Sequence, residues 1–178
     1  QEKAMDKRLK FGQKKLFELA SICRKNKDFE TAKNCYAYII NLGTESKYYL
    51  DAQTALLRVK KELLEAKPET NKEDWLLLEQ EYLTSFFVLG KTSYTILQLR
   101  DLAQIQAFNL YDLNKASSTI KEALKINAAS DEDIAQCKLV YADILLLQNE
   151  IWDAILYYSQ VDKAYKHDVL GHEAKFRR

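Results

Sequence analysis

The strongest constraint on this chain is a pair of small residues that recurs at one fixed distance. Ala20 and Ala32 lie twelve residues apart, and Ala142 and Ala154 repeat that distance near the other end of the sequence. Within each pair, two apolar helical patterns are separated by a short polar stretch. Two helices approach to about 8–10 Å only where their contact points are small. The sequence therefore predicts two helical hairpins in which alanine faces alanine.

The composition favours helices throughout the chain. Only four Gly and one Pro occur among 178 residues, and this scarcity of helix breakers is typical of an all-α protein. The 27 basic and 26 acidic side chains give a net charge of +1, which provides no electrostatic reason to expect nucleic acid or an anionic membrane as a partner. No apolar run reaches the ~18 residues that a membrane span needs, so membrane insertion is not expected.

Apolar periodicity divides the chain into four predicted hairpins, at approximately residues 12–43, 46–89, 92–127 and 131–166. Gly43 and Gly90 are predicted to end helices, Gly43 with a left-handed backbone. Residues 67–74 contain the only proline and are the best linker candidate. Gly171 is interpreted as a further stop, so that 171–178 begins another helix in which Ala174 and Phe176 pack. We expect one repeat domain, cut from a longer chain.

The third predicted hairpin contains a weaker copy of the alanine pair. Ala103 and Ala116 are thirteen residues apart, and Gln104 occupies the position at which a small residue is expected. The second predicted hairpin, 46–89, lacks such a pair, so only its helical character is predicted.

These motifs resemble those of tetratricopeptide repeats, in which apolar, small and aromatic positions follow in a fixed order. In the first and last hairpins the matching positions are Leu16, Leu19, Ala20, Cys23, Ala32 and Tyr36, and Tyr141, Ala142, Leu145, Ala154 and Tyr158. The segment 157–178 further resembles long tetratricopeptide-repeat proteins of Bacteroidota. The resemblance implies a right-handed superhelical array of antiparallel helical hairpins, an α-solenoid, that binds proteins or peptides within a larger bacterial protein and has no established reaction.

In such an array, the first helix of each hairpin contributes to the concave face. Projected from the alanine positions, the predicted protein-binding face comprises Lys14, Phe17, Ser21, Arg24, Gln98, Asp101, Ile105, Asn109, Gln136, Leu139 and Asp143. Phe17 and Ser21 stand where chaperone-binding members of the superfamily carry a clamp for a terminal carboxylate. C-terminal peptides are therefore not the expected ligands.

No pattern in the sequence indicates catalysis, a cofactor or a metal. His167 and His172 have no nucleophile motif beside them, and the three cysteines form no C-x-x-C pair. An aromatic cluster could line a ligand pocket, but helix core is the favoured interpretation: Tyr48, Tyr49, Trp75, Tyr82, Phe86 and Phe87.

We therefore expect a non-catalytic scaffold for protein–protein interaction. The alternatives are a structural spacer or self-association module and, after these, a ligand-binding or enzymatic domain. The sequence leaves the compartment open between cytoplasm and periplasm.

Overall fold

The computed structural model describes residues 2–178, with side chains from residue 12 onward. Across this range the chain is helical and contains no strand, which confirms the predicted all-α class. Within the described part of the chain, no helix has the length and apolar character that crossing a membrane requires. The elements are α1 (Glu2–Lys25), α2 (Phe29–Asn41), α3 (Tyr49–Ala66), α4 (Lys72–Leu89), α5 (Ile96–Gln104), a π-helix (Ile105–Asn109), α6 (Leu113–Leu124), α7 (Asp131–Leu147), α8 (Ile151–Ala164) and α9 (Val169–Arg177).

The chain forms two compact units, residues 1–74 and 75–178, where the sequence predicted one domain. The boundary falls inside the segment predicted as the hairpin 46–89. Helix α3 belongs to the first unit, whereas α4 belongs to the second from Trp75 onward. A single continuous array stays a prediction, and the two units are described separately.

The first unit packs α1 against α2 and α2 against α3. Ala20, Ala32 and Tyr36 are buried in one core cluster, as expected for a close contact between two helices. An ion pair joins α1 to α3, because Arg24 Nη1 donates to Glu62 Oε1 at 2.7 Å. The first unit is therefore a small three-helix core.

The second unit continues the same construction. The segment formed by α5 and the π-helix packs on α6, α6 packs on α7, α7 pairs with α8, and α8 contacts α9. Fully buried alanines occur on both helices of each hairpin: Ala103, Ala116, Ala142 and Ala154. Small residues thus mark the helix contacts of the third and fourth hairpins as they do in the first.

One turn closes three of the hairpins. A residue with a left-handed backbone stands five positions before the buried alanine of the second helix: Lys27 (φ 63°), Tyr111 (φ 59°) and Asn149 (φ 65°). The next residue is the N-cap of the second helix, and its N–H donates to a backbone carbonyl of the first helix. These bonds are Asp28 to Cys23 O (2.9 Å), Asp112 to Gln106 O (2.8 Å) and Glu150 to Leu145 O (2.8 Å). A repeated backbone geometry therefore accompanies the repeated residue pattern.

The thirteen-residue spacing of the third hairpin arises from the π-helix. The N–H of Leu110 bonds to the carbonyl of Ile105, five residues earlier, at 3.0 Å. Such a ring contains one residue more than an α-helical turn. Accordingly, Tyr111 is eight positions after Ala103, whereas Asn149 is seven positions after Ala142. The third hairpin is the same hairpin with one residue inserted.

Three glycines show where the predicted helix ends were right and where one was wrong. Gly43 and Gly90 follow α2 and α4 with φ values of 86° and 72°, which confirms both ends. Gly171 lies inside α9 and is buried, so its predicted role as a stop was wrong. A Cβ atom there would lie 1.9 Å from the carbonyl oxygen of Tyr165. The glycine is required because α9 begins in close contact with the preceding turn.

The predicted aromatic core is confirmed in part. Trp75, Tyr82 and Phe86 are buried on α4, whereas Phe87 is 92% exposed. Phe176 was expected to pack but is also 92% exposed, although its neighbour Ala174 is fully buried.

Candidate functional site

A groove on the second unit is lined by α5, α7 and α9. Its apolar lining comes from Leu139, Val140 and Leu170, and its volume is about 270 Å³. Polar groups surround these side chains: Arg100, Gln104, Gln136, Glu173 and Arg177. A concave, partly apolar surface with a few placed polar groups is typical of a binding site. The groove is therefore the candidate site of this chain.

Arg100 is fixed at one end of the groove by two partners. Its Nε donates to Asp101 Oδ1 at 3.0 Å, and its Nη1 donates to Gln136 Oε1 on α7. Only 14% of the Arg100 side chain and 5% of the Asp101 side chain are exposed. Because the buried carboxylate already balances the guanidinium charge, Arg100 connects α5 with α7 and is not a vacant anion site.

Arg177 has the corresponding role at the other end. It donates to Asp143 on α7 and to Glu173 one turn earlier on α9. Asp143 also accepts a hydrogen bond from the Tyr158 hydroxyl of α8 at 2.5 Å. Three helices are thus joined at one carboxylate.

The pKa values at this junction follow from burial. Burial raises the pKa of the Asp143 carboxyl above its ordinary value, and the Tyr158 hydrogen bond and the Arg177 charge oppose that rise. Burial, together with the adjacent carboxylate, also raises the pKa of Tyr158. The Tyr158 hydroxyl consequently stays protonated and acts as the donor in this pair.

The structure places the eleven predicted binding residues in different environments. Gln136 and Leu139 line the groove, and Asp143 holds Arg177 there. Asn109 is half-buried in the π-helix. In the first unit, Lys14 is exposed and pairs with Glu18, while three side chains are half-buried: Phe17, Ser21 and Arg24.

Four members of the predicted set are buried, which contradicts the exposure expected of them. The exposed fractions of Gln98, Asp101, Ile105 and Leu139 are 5%, 3%, 0% and 4%. Gln98 accepts a hydrogen bond from Ser85 at 3.2 Å, and Asp101 pairs with Arg100. These side chains hold helices together, although Leu139 also borders the groove. Whether the remaining positions bind a partner stays a prediction.

One feature explains why the residues predicted for the binding face of the third hairpin are buried. The projection treated residues 96–109 as one regular α-helix, but the π-helix inserts a residue after Gln106. Positions before the insertion therefore shift by one, and Arg100 and Gln104 line the groove in place of Asp101 and Ile105. The thirteen-residue spacing between Ala103 and Ala116 was the sequence signal for this inserted residue. Leu170, Glu173 and Arg177 were missed because Gly171 was interpreted as a stop.

A second polar cluster is buried around the π-helix. Gln106 is 1% exposed, and its Nε2 donates to Glu79 Oε1 at 2.8 Å. Its Oε1 accepts from Thr119 Oγ1 at 2.7 Å. Lys115 Nζ lies 2.9 Å from Glu79 Oε1. Since the Gln106 amide has a partner on both sides, this cluster connects α4, the π-helix and α6 and is a structural element.

The buried thiol of Cys137 is in an unreactive setting. Cys137 is a free thiol, and burial raises its pKa to about 12. A protonated thiol is a poor nucleophile and a poor metal ligand. Among the side chains from residue 12 onward, no group of three His, Cys, Asp or Glu residues could hold a metal ion.

No family model and no curated protein matches this chain. Its function must therefore be inferred from the groove and from the surfaces around it.

Proposed function

We propose that this chain is a non-catalytic scaffold of the tetratricopeptide type that binds a protein segment in the groove lined by α5, α7 and α9. The observation that supports the proposal most is that the lining residues come from these helices and from neither α6 nor α8. In a superhelical repeat array, the first helices of successive hairpins form the concave binding surface. A right-handed array is part of the same proposal.

The groove favours an uncharged segment as its ligand. Its two arginines already pair with three carboxylates, those of Asp101, Asp143 and Glu173. Leu170 is the apolar lining residue that is not buried, and it suits an aliphatic or aromatic side chain of a ligand. These two arginines and three carboxylates carry a net charge of −1, so the affinity for an uncharged segment should change little with ionic strength.

The test compares two neighbouring positions on α9. Leu170 lines the groove, whereas Val169 is 77% exposed and does not. Peptides are first selected from a displayed random library against the wild-type chain, and their affinities are then measured for Leu170→Glu and Val169→Glu. A carboxylate in the apolar lining should weaken binding by about tenfold or more. The Val169→Glu control should bind as the wild type does.

Selected peptides that bind Leu170→Glu as tightly as wild type would place their site outside the groove. Circular dichroism of both variants checks that α9 is still folded. Failure to select any peptide would also count against the proposal.

Self-association is the second candidate function. It is favoured by Val169 and Phe176 on α9, which are 77% and 92% exposed although both are apolar. Sedimentation of the wild type should then show a dimer that Phe176→Glu dissociates. A wild-type chain that remains monomeric at high concentration removes this candidate.

A further inference from the structure

The turn between the π-helix and α6 contains a bulky residue where one is unfavourable. Tyr111 has a φ of 59° and is 82% exposed. Left-handed backbone strains bulky side chains, and glycine or asparagine is the usual occupant. The equivalent positions of the first and fourth hairpins carry Lys27 and Asn149. The Tyr111 ring is exposed and adds nothing to the core, while its backbone conformation is strained. A tyrosine at this position therefore points to a contact outside the fold.

Tyr111 borders a shallow cavity between two turns of the second unit. The cavity measures about 550 Å³, and its other lining residues are Asp112, Leu113, Asn114, Gln148 and Glu150. Gln148 Nε2 donates to the carbonyl of Leu113 at 3.4 Å, which holds the turn before α8 beside the start of α6. Trp152 follows Glu150 by two positions and is 84% exposed.

The cavity lining contains two carboxylates and no basic side chain. Asp112 Oδ1 accepts the N–H of Lys115 at 3.0 Å and so caps α6. Glu150 occupies the same position before α8, but its exposed side chain makes no capping hydrogen bond. The closest basic residue in sequence, Lys115, pairs with the buried Glu79. A cationic group is therefore the complementary ligand.

We propose that the edge formed by Tyr111, Asp112 and Glu150, together with Trp152 two positions after Glu150, binds an arginine- or lysine-bearing segment of a partner protein. A guanidinium or ammonium group is attracted to the faces of tyrosine and tryptophan rings and pairs with carboxylates. The same carboxylates repel an anionic bilayer, although exposed aromatic rings also occur at membrane surfaces. This edge is separate from the groove, and the proposal does not depend on the groove having a ligand.

The test uses a fluorescently labelled peptide of alternating arginine and glycine, with alternating glutamate and glycine as its charge-reversed control. Anisotropy titrations compare wild type with Tyr111→Asn and Trp152→Asn. The fourth hairpin has Asn149 at the position of Tyr111, and the third has Asn114 at the position of Trp152. Neither substitution should therefore disturb the turn. Each loss of a ring should weaken binding of the arginine peptide by about two- to fivefold. High salt should weaken wild-type binding.

Two matched controls complete the experiment. Tyr38 is an exposed tyrosine of α2 in the first unit, and Tyr38→Asn should leave the affinity unchanged. Leu77 is an exposed residue of α4 in the second unit, and Leu77→Asn should also leave the affinity unchanged. The proposal is overturned if the arginine peptide does not bind, if both asparagine variants bind it normally, or if the glutamate peptide binds equally well. A blue shift of Trp152 emission on phosphatidylcholine vesicles, without peptide binding, would assign the edge to lipid instead.

Discussion

The third and fourth hairpins close with the same turn, yet their first helices differ by one residue. In the fourth, α7 remains α-helical up to the turn, and Leu145, whose carbonyl receives the turn N–H, is buried in an apolar environment. In the third, the equivalent carbonyl belongs to Gln106, which is equally buried but lies in a polar cluster. One inserted residue therefore coincides with a change in the chemistry of the core.

A second difference concerns the residue four positions after the buried alanine. The first and fourth hairpins have Tyr36 and Tyr158 there, and these hydroxyls bond to Ser21 and Asp143 on the first helix. The third has Ile120, which is fully buried. In the regular hairpins a tyrosine hydrogen bond joins the two helices, whereas in the third the Thr119 hydroxyl of α6 donates to Gln106 Oε1 of the π-helix. The same turn can thus be stabilised by different interior contacts.

Single-residue deletions should show the largest difference in stability between the first helices of the third and fourth hairpins. Phe108 and Leu146 are each 40% exposed, so their side chains contribute similarly to packing. Deleting Leu146 rotates the preceding part of α7 by about 100° relative to α8, which moves Ala142 and Leu145 out of the core. We expect a loss of roughly 4 kcal/mol or more in the free energy of unfolding, measured by chemical denaturation.

Deleting Phe108 should have a much smaller effect. The π-helix would become a regular turn, and the spacing from Ala103 to Ala116 would become the twelve residues found in the other hairpins. We expect a loss of less than about 2 kcal/mol and unchanged helical circular dichroism. If the two deletions are equally damaging, the third hairpin is not an inserted copy of the fourth.

Glu79 tests the polar core of the third hairpin, with the next largest effect. Glu79→Ala removes the acceptor for Gln106 Nε2 and leaves that buried amide unsatisfied, at a cost of about 3 kcal/mol including the cavity. Glu79→Gln retains an acceptor oxygen and loses only the pairing with Lys115, whose side chain is 48% exposed, so it should cost about 1 kcal/mol. Thermal unfolding of both variants measures the difference. Equal costs would show that the charge, and not the hydrogen bond, stabilises this cluster.

The sequence was sufficient for the parts of the fold that depend on local patterns. Helix periodicity and the repeated alanines predicted the hairpins near the ends of the chain, and Ala20, Ala32, Ala142 and Ala154 are all fully buried. Ser130 and Asn71 are residue types that favour helix starts, and both act as caps. Ser130 accepts the N–H of Asp133 at 3.1 Å before α7, and Asn71 Oδ1 accepts the Asp74 N–H at 2.8 Å before α4.

The sequence was insufficient where a tertiary contact decides the backbone. A glycine followed by polar residues is typical of a helix end, but Gly171 is needed for its contact with the Tyr165 carbonyl. The π-helix has no residue signature of its own, and only the thirteen-residue spacing between Ala103 and Ala116 indicated it. On α5 the residues that line the groove are each one position before residues of the predicted binding face, and that face included no residue of α9.

The hydrogen bonds of Tyr36 in the first hairpin and Tyr158 in the fourth should differ in strength. Tyr158→Phe removes a hydrogen bond to a carboxylate and should cost about 1.5 kcal/mol, whereas Tyr36→Phe removes one to a serine and should cost about 0.5–1 kcal/mol. The first cost should also depend on pH, since the Tyr158 hydrogen bond lowers the pKa of Asp143 in the folded state.

The sign of that dependence follows from proton linkage. Burial raises the folded-state pKa of Asp143 above the unfolded value of 3.8, so its protonated form contributes stability that is present below 3.8 and is lost as pH rises through the folded pKa. Tyr158→Phe raises the folded pKa further and enlarges this loss. The cost of the substitution should therefore be smaller in acid and larger at neutral pH, measured by denaturation across that range. A cost that is independent of pH would mean that Asp143 does not respond to Tyr158.

Effects of opposite sign should come from exchanging the turn residues of the two hairpins. Tyr111→Asn places a residue that tolerates left-handed backbone in the third hairpin and should stabilise the protein by about 1 kcal/mol. Asn149→Tyr makes the reverse change in the fourth hairpin and should destabilise it by a similar amount. Chemical denaturation of both variants measures the pair. Because the two turns share their backbone geometry, the two changes should be of opposite sign, and a loss of stability in Tyr111→Asn would mean that the ring packs on the fold after all.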